Sequence, residues 1–206
     1  MNIAVIGAGK VGGALASGWQ AAGHAVMLGT RDPSAPAIAP FLERGLAAFT
    51  PAEAMNAAEV VLFATPPAVA LDLVNRFMTT GSLAGRVLID ATNSVAKKPE
   101  PYRTVAEGLK ALADTPDVVK CFNTTGFENM ADPSYDGTAV DMFMAGDSSR
   151  ARDVARGLAL DLGFAECFDC GGDDRFALLE DFAMMWINLA IMQGQGRGIA
   201  FKVLRR

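Results

Sequence analysis

The chain has 206 residues, 51% of them hydrophobic and 20% charged, which is enough apolar material for one well-filled globular domain and too much for a disordered chain. A net charge of −5 with no run of lysines or arginines speaks against nucleic acid or an anionic membrane as the main partner, and leaves small molecules or proteins. Three cysteines argue against a disulfide framework, and no apolar run approaches the ~20 residues that span a bilayer.

Met1 leads directly into an apolar strand, Asn2 to Ile6, with no basic leader before it, so the reading is of a cytoplasmic protein. Further strands are expected at Ala25 to Leu28, Ala47 to Phe49, Val60 to Ala64, Val87 to Asp90, Val118 to Phe122, Asp141 to Ala145 and Ala165 to Phe168. Between them lie helix-length amphipathic stretches at Val11 to Ala22, Pro36 to Arg44, Pro51 to Ala57, Ala68 to Phe77, Thr104 to Leu112 and Ser149 to Leu162. Short apolar runs alternating with helices predict an α/β fold: a doubly wound, mostly parallel Rossmann-type sheet of about eight strands. No linker interrupts the pattern, so residues 1–206 read as a single domain. Its last part, 176–206, is a helical extension with apolar positions at Leu178, Leu179, Phe182, Met185, Trp186 and Leu189. Met184, Met185, Trp186 and Met192 suit core packing, a contact between two copies of the chain or the wall of an acceptor pocket.

The first strand runs into Gly7-Ala8-Gly9-Lys10-Val11-Gly12 and then a helix. This is the strand–turn–helix context in which G-x-G-x-x-G cradles a dinucleotide pyrophosphate: a tight turn at Gly7, close backbone approach at Gly9, and helix–strand packing at Gly12 and Gly13. The helix N-terminus adds free N–H groups and a positive dipole end. At the end of the second strand an NAD-binding chain carries Asp or Glu for the ribose hydroxyls, whereas this one reads Gly29-Thr30-Arg31. A hydroxyl and a guanidinium suit a 2′-phosphate, so the expected cofactor is NADP, with Lys10 as a second cation near the phosphates. Asp32-Pro33 reads as an N-cap followed by a first-turn proline.

Three loops at the carboxyl ends of later strands are candidates for the reacting end: Ala64-Thr65-Pro66-Pro67, Ala91-Thr92-Asn93-Ser94 and Asn123-Thr124-Thr125-Gly126. Ala64, Thr65 and Pro66, and Ala91, Thr92 and Asn93, are assigned to the cofactor. No catalytic acid or base is evident and no metal ligand set is present. His24, the only histidine, belongs to a turn at the amino end of the sheet, and neither tyrosine starts a Tyr-x-x-x-Lys. Cys167 and Cys170 make a C-x-x-C, but on a strand residues three apart face opposite sides, and nothing completes a zinc site.

Together with Phe122-Asn123-Thr124, Asn129-Met130-Ala131-Asp132-Pro133 and Gly196-Arg197-Gly198-Ile199-Ala200-Phe201, these residues make the chain resemble the NADP oxidoreductases that act on coenzyme F-420, an 8-hydroxy-5-deazaflavin. It also resembles the cytosolic NADPH-binding domain of the STEAP-type ferric reductases. The resemblance implies hydride transfer between NADP(H) and a deazaflavin or flavin-like acceptor. In it, Ala64 to Pro67 flank the nicotinamide, and Asn123 and Thr124 border the acceptor pocket as substrate residues. Two other readings remain open: an imine reductase like pyrroline-5-carboxylate reductase, and an NADPH-binding sensor or reductase subunit without turnover of a free acceptor. A homodimer through the apolar C-terminal helix is a further expectation.

Overall fold

The computed structural model describes residues 1–95 and 97–206. Five strands alternate with helices through the first half: β1 (Asn2–Ile6), α1 (Lys10–Ala21), β2 (Ala25–Gly29), α2 (Ala39–Leu42), β3 (Ala47–Phe49), α3 (Pro51–Ala57), β4 (Val60–Phe63), α4 (Pro67–Phe77) and β5 (Val87–Asp90). There follow α5 (Val105–Leu112), β6 (Val118–Cys121), α6 (Phe127–Ala131), a hairpin of β7 (Ser134–Tyr135) and β8 (Thr138–Ala139), β9 (Asp141–Ala145), α7 (Ser149–Asp161), β10 (Glu166–Asp169) and α8 (Phe176–Ile187). One wide helical turn, Asn188–Met192, ends α8.

The main sheet has eight strands in the order β10-β9-β6-β5-β4-β1-β2-β3. From β3 to β6 this is the doubly wound Rossmann order, with the reversal of strand order between β1 and β4. Strands β4, β5 and β6 are buried along their whole length, as expected for strands covered on both faces. One face packs on α1 and α7 through Leu15, Trp19, Ala155 and Leu158, and the other on α3, α4, α5 and α8 through Met55, Val74, Leu109 and Leu179.

Two departures from the expected pattern shape the site. The helix expected over Pro36 to Arg44 shrinks to α2, and Asp32 does not cap a helix: its carboxylate accepts bonds from the Ser34 amide at 3.0 Å and the Ser34 hydroxyl at 2.7 Å. A helix capped at Asp32 would need hydrogen-bonding amides at positions 36 and 40, and both are prolines.

The second departure is the antiparallel pairing of β9 with β6, the one antiparallel contact of the main sheet among the described residues. A short helix, α6, and a small hairpin connect these two strands. Five helical residues advance only ~7.5 Å, too little to carry the chain back down the sheet. Strand β9 therefore starts at the carboxyl edge and runs the other way. Its partner β10 follows it, and α8 then climbs back along the sheet to the carboxyl ends of β5 and β6. Of the apolar positions expected inside α8, Leu179 and Trp186 are buried, but Leu178 and Met185 are about half exposed, at 50% and 51%.

Strand β10, the outer strand on the side of the sheet away from β3, carries Cys167, with Cys170 just past its end. Cys167 is buried 3.8 Å from Cys121, while Cys170 packs against the other face. Burial pushes the Cys121 and Cys170 thiols up, which keeps them protonated. His24 lies at the amino edge, with Nε2 2.9 Å from Asp161 Oδ2. No helix among the described residues is long and apolar enough to cross a membrane.

Candidate functional site

The glycine turn has the geometry its spacing implies. Gly7 adopts φ +109°, a conformation closed to most side chains, and its amide donates to Gly29 O at 2.9 Å, joining β1 to β2. A Cβ on Gly12 would lie 1.9 Å from Gly7 O, so α1 approaches the turn as closely as it does only without one. At Gly9 a Cβ would meet nothing within 4 Å. Gly9 also begins α1 without a side-chain cap, leaving the first amides of the helix directed at that open space. Ala8 and Val11 are half-buried around it and Lys10 is exposed, its ammonium 5.2 Å from the Phe127 ring centroid. An open backbone cradle at a helix N-terminus fits a pyrophosphate.

The adenosine end is held by β2 and β3. Thr30 donates its amide to Phe49 O at 2.9 Å, which leaves its hydroxyl at the strand end. Arg31 is exposed and makes no ion pair among the described residues. The neighbouring Asp32 is spent on Ser34, whose bonds hold its carboxyl below the usual aspartate range. The polar inventory at this corner is thus one free guanidinium, one hydroxyl and one carboxylate turned to its own loop. That combination fits a 2′-phosphate better than a bare 2′-hydroxyl.

The loop after β4 abuts the glycine turn, since a Cβ on Gly7 would touch Ala64 O and the Thr65 methyl. Thr65 is half-buried, and Pro66 precedes α4 in an extended conformation. After β5, Ala91 and Thr92 are buried but Asn93 is exposed. After β6, Phe122 takes φ +68°, a conformation rare for a bulky side chain, while its ring packs edge-on against Trp19 at 5.4 Å. This sharp turn brings Asn123 beside Asn93: Asn123 Nδ2 donates to Asn93 Oδ1 at 3.1 Å and to Leu179 O at 3.1 Å, and Asn93 Nδ2 donates to Asn123 O at 3.2 Å. Asn123 Oδ1 is buried without a partner, as is Ser94 Oγ. Thr124, expected at the acceptor pocket, is buried with its hydroxyl 3.6 Å from Met142 Sδ, so its side chain serves the core.

Sequence reasoning missed two features. The first is a buried ionic cluster: Lys120 Nζ lies 2.9 Å from Asp90 Oδ2 and 2.8 Å from Glu180 Oε1, and donates to Thr92 O at 3.0 Å. Burial works against the Lys120 charge, but the two carboxylates outweigh it and hold the ammonium above the ordinary lysine value. Burial pushes the Glu180 carboxyl up, opposed by Lys120. A lysine inside the apolar run of β6 was the available signal, because a buried lysine needs a partner.

The second is a polar clasp that ties the C-terminal segment over α6. Arg197 pairs with Glu128 through two bonds and stacks 5.1 Å from both Phe127 and Trp186. Trp186 Nε1 and Asn129 Nδ2 both donate to Ile199 O at 2.7 Å. The segment thus lies on Phe127, the ring that also carries Lys10 of the glycine turn.

The fold and the glycine cradle define the class, a Rossmann-type fold with a dinucleotide-binding turn. Residues 2–94 match the family described as NADP oxidoreductase coenzyme F420-dependent, which bears out the family resemblance over that stretch. The whole chain is similar, at 27% identity and TM-score 0.83, to all of a protein from Arthrobacter sp. FB24 provisionally described as an F420-dependent NADP reductase. It is also similar to a hypothetical protein from Sinorhizobium meliloti, at 27% identity and TM-score 0.72, covering 100% of this chain and 96% of that one. An imine reductase from Streptomyces aurantiacus shares the fold at 22% identity and TM-score 0.67, over 94% of this chain but 62% of that one. No curated protein matches the chain.

Proposed function

We propose that this protein transfers a hydride between NADP(H) and a flat deazaflavin- or flavin-like acceptor at the carboxyl edge of the sheet. Gly7, Ala8, Gly9, Lys10, Val11 and Gly12 would hold the pyrophosphate, Thr30 and Arg31 the 2′-phosphate, and Ala64, Thr65, Pro66 and Asn93 the nicotinamide end. When bound, NADPH supplies the hydride. Asn93 and Asn123 orient polar edges, while the buried backbone of Ala91 and Thr92 forms the floor on which the ring rests. The C-terminal portion, 176–206, acts as a wall of the same domain.

The observation that carries the acceptor class is the chemistry of the reacting edge. Asn93 is its exposed amide, Asn123 is buried beside it, and Glu180, the acid of α8 that reaches this loop, is engaged by Lys120 and by the Ser94 amide. Reduction of a carbonyl or imine is helped by a poised proton donor, whereas ring-to-ring hydride transfer depends mainly on face-to-face placement. The family match over residues 2–94 supports the same reading. The test is NADPH oxidation by the purified protein with coenzyme F-420 and with FMN. Turnover with either supports the reading. Tight NADPH binding without turnover on any free acceptor would favour a sensor or a subunit that borrows its acceptor from a partner.

The shared fold with imine reductases favours one second reading, reduction of a cyclic C=N bond. Turnover of a cyclic imine in place of both flavins would establish it. We also propose a cytoplasmic enzyme that pairs with a second copy through the exposed apolar residues of α8, which sedimentation would check.

A further inference from the structure

We infer that Lys120, Asp90 and Glu180 form a positioning device that holds Asn93 at the nicotinamide end of the groove and couples its loop to α8. The inference rests on the cofactor placement proposed above.

The loop after β5 is gripped on both sides of Asn93. On the amino-terminal side, Asp90 Oδ1 accepts the Thr92 amide at 2.8 Å and the Thr92 hydroxyl at 2.7 Å, while Lys120 donates to Thr92 O at 3.0 Å. On the carboxyl-terminal side, Glu180 Oε2 accepts the Ser94 amide at 2.7 Å. Thr92 and Ser94 are each only 3% exposed, yet Asn93 between them is exposed. The second oxygen of Asp90 accepts the Ala106 amide at 3.0 Å, anchoring the grip to the start of α5.

Three strands of argument favour positioning over mere cohesion. Burying three charges is costly, and a hydrophobic cluster of the same volume often serves stability equally well, so the retained charges call for another role. Every hydrogen bond the cluster makes to the backbone of residues 91–94 falls on Thr92 or Ser94, the neighbours of the exposed Asn93. Finally, Glu180 comes from α8, whose Leu179 carbonyl also holds Asn123. One turn of α8 therefore sets both asparagines that face the reacting end.

The variant is Glu180→Gln. An amide offers one acceptor oxygen where the carboxylate offers two, so its NH2 must face either the Lys120 ammonium or the Ser94 amide, and one side of the grip fails. The readout compares NADPH with 2′,5′-ADP, which carries the 2′-phosphate but no nicotinamide. The expected result is NADPH affinity weakened roughly tenfold, the worth of one lost bond to a charged group, with 2′,5′-ADP affinity unchanged. Equal weakening of both probes, or no change in either, would overturn the inference. Should Glu180→Gln melt out, Asp90→Asn, which breaks the other side of the grip and leaves the Lys120–Glu180 pair in place, is read the same way. If the unaltered protein binds 2′,5′-ADP but not NADPH, the nicotinamide placement itself fails, and if it binds neither, the cofactor reading fails.

Discussion

The two ends of the proposed cofactor groove are built on opposite principles. The phosphate end is made almost wholly of backbone and of residues adjacent in the chain: Gly7 to Gly12 in one turn, Thr30 and Arg31 at one strand end. Its side chains are few and unpaired, and its shape follows from missing Cβ atoms. The reacting end is made of side chains drawn from β5, β6 and α8, with Asp90, Lys120 and Glu180 thirty to ninety positions apart, locked together without solvent. A phosphate needs donors and charge, which a local turn supplies. A ring that must lie at a fixed angle needs a rigid floor, which only converging elements supply.

Substitutions at the two ends should therefore fail differently. The largest effect is expected for Lys120→Leu, which strands two buried carboxylates and should lower stability by about 3–5 kcal/mol in urea unfolding. A loss below ~1 kcal/mol would mean that the carboxylates take up protons easily and that the cluster is not rigid. Gly12→Ala comes next: its Cβ would fall on Gly7 O, so the turn must open, with about 1–3 kcal/mol lost and NADPH binding abolished in calorimetry. Arg31→Glu should leave melting unaltered and weaken NADPH by roughly 10–100-fold while sparing NADH. If NADPH affinity survives that change, the 2′-phosphate assignment is wrong.

Two smaller effects mark the borders of the comparison. Ser148→Ala removes the N-cap of α7 at the amino edge of the sheet, away from both ends, and should cost about 1 kcal/mol with no change in cofactor affinity. Glu128 tests the clasp between the C-terminal segment and α6. The Arg197 guanidinium holds its carboxyl below the ordinary glutamate value of about 4.3. A carboxylate with a depressed folded pKa stabilises fully above its unfolded value, and the contribution is lost as pH falls through the folded one. Acidification from pH 5 toward and below about pH 4 should thus loosen the clasp and alter Trp186 fluorescence, and Glu128→Gln should remove that pH dependence.

The phosphate end was legible in the sequence because every residue of it is specified within a few positions. Strand, glycines and helix follow one another, and the Gly29-Thr30-Arg31 step ends the next strand. The central strands of the main sheet were legible for a similar reason, since β4, β5 and β6 are short runs buried along their whole length. What did not show was any consequence of the direction in which a strand is entered. The short helix α6 turns β9 over, and that reversal brings α8 back to the site. The left-handed turn at Phe122 buries both residues that follow it, sending Asn123 to Asn93 and Leu179 of α8 and Thr124 to Met142 of β9.

The sequence by itself determined which segments form the strands, the glycine cradle and the residues we propose for a phosphorylated ribose, all of which depend on local backbone geometry and neighbouring side chains. The tertiary structure alone decided which polar groups meet. Lys120 reads in the sequence as one charge inside an apolar strand, and only packing three distant elements together gives it Asp90 and Glu180. A buried charge is tolerated only where its partners converge, and convergence is a property of the fold.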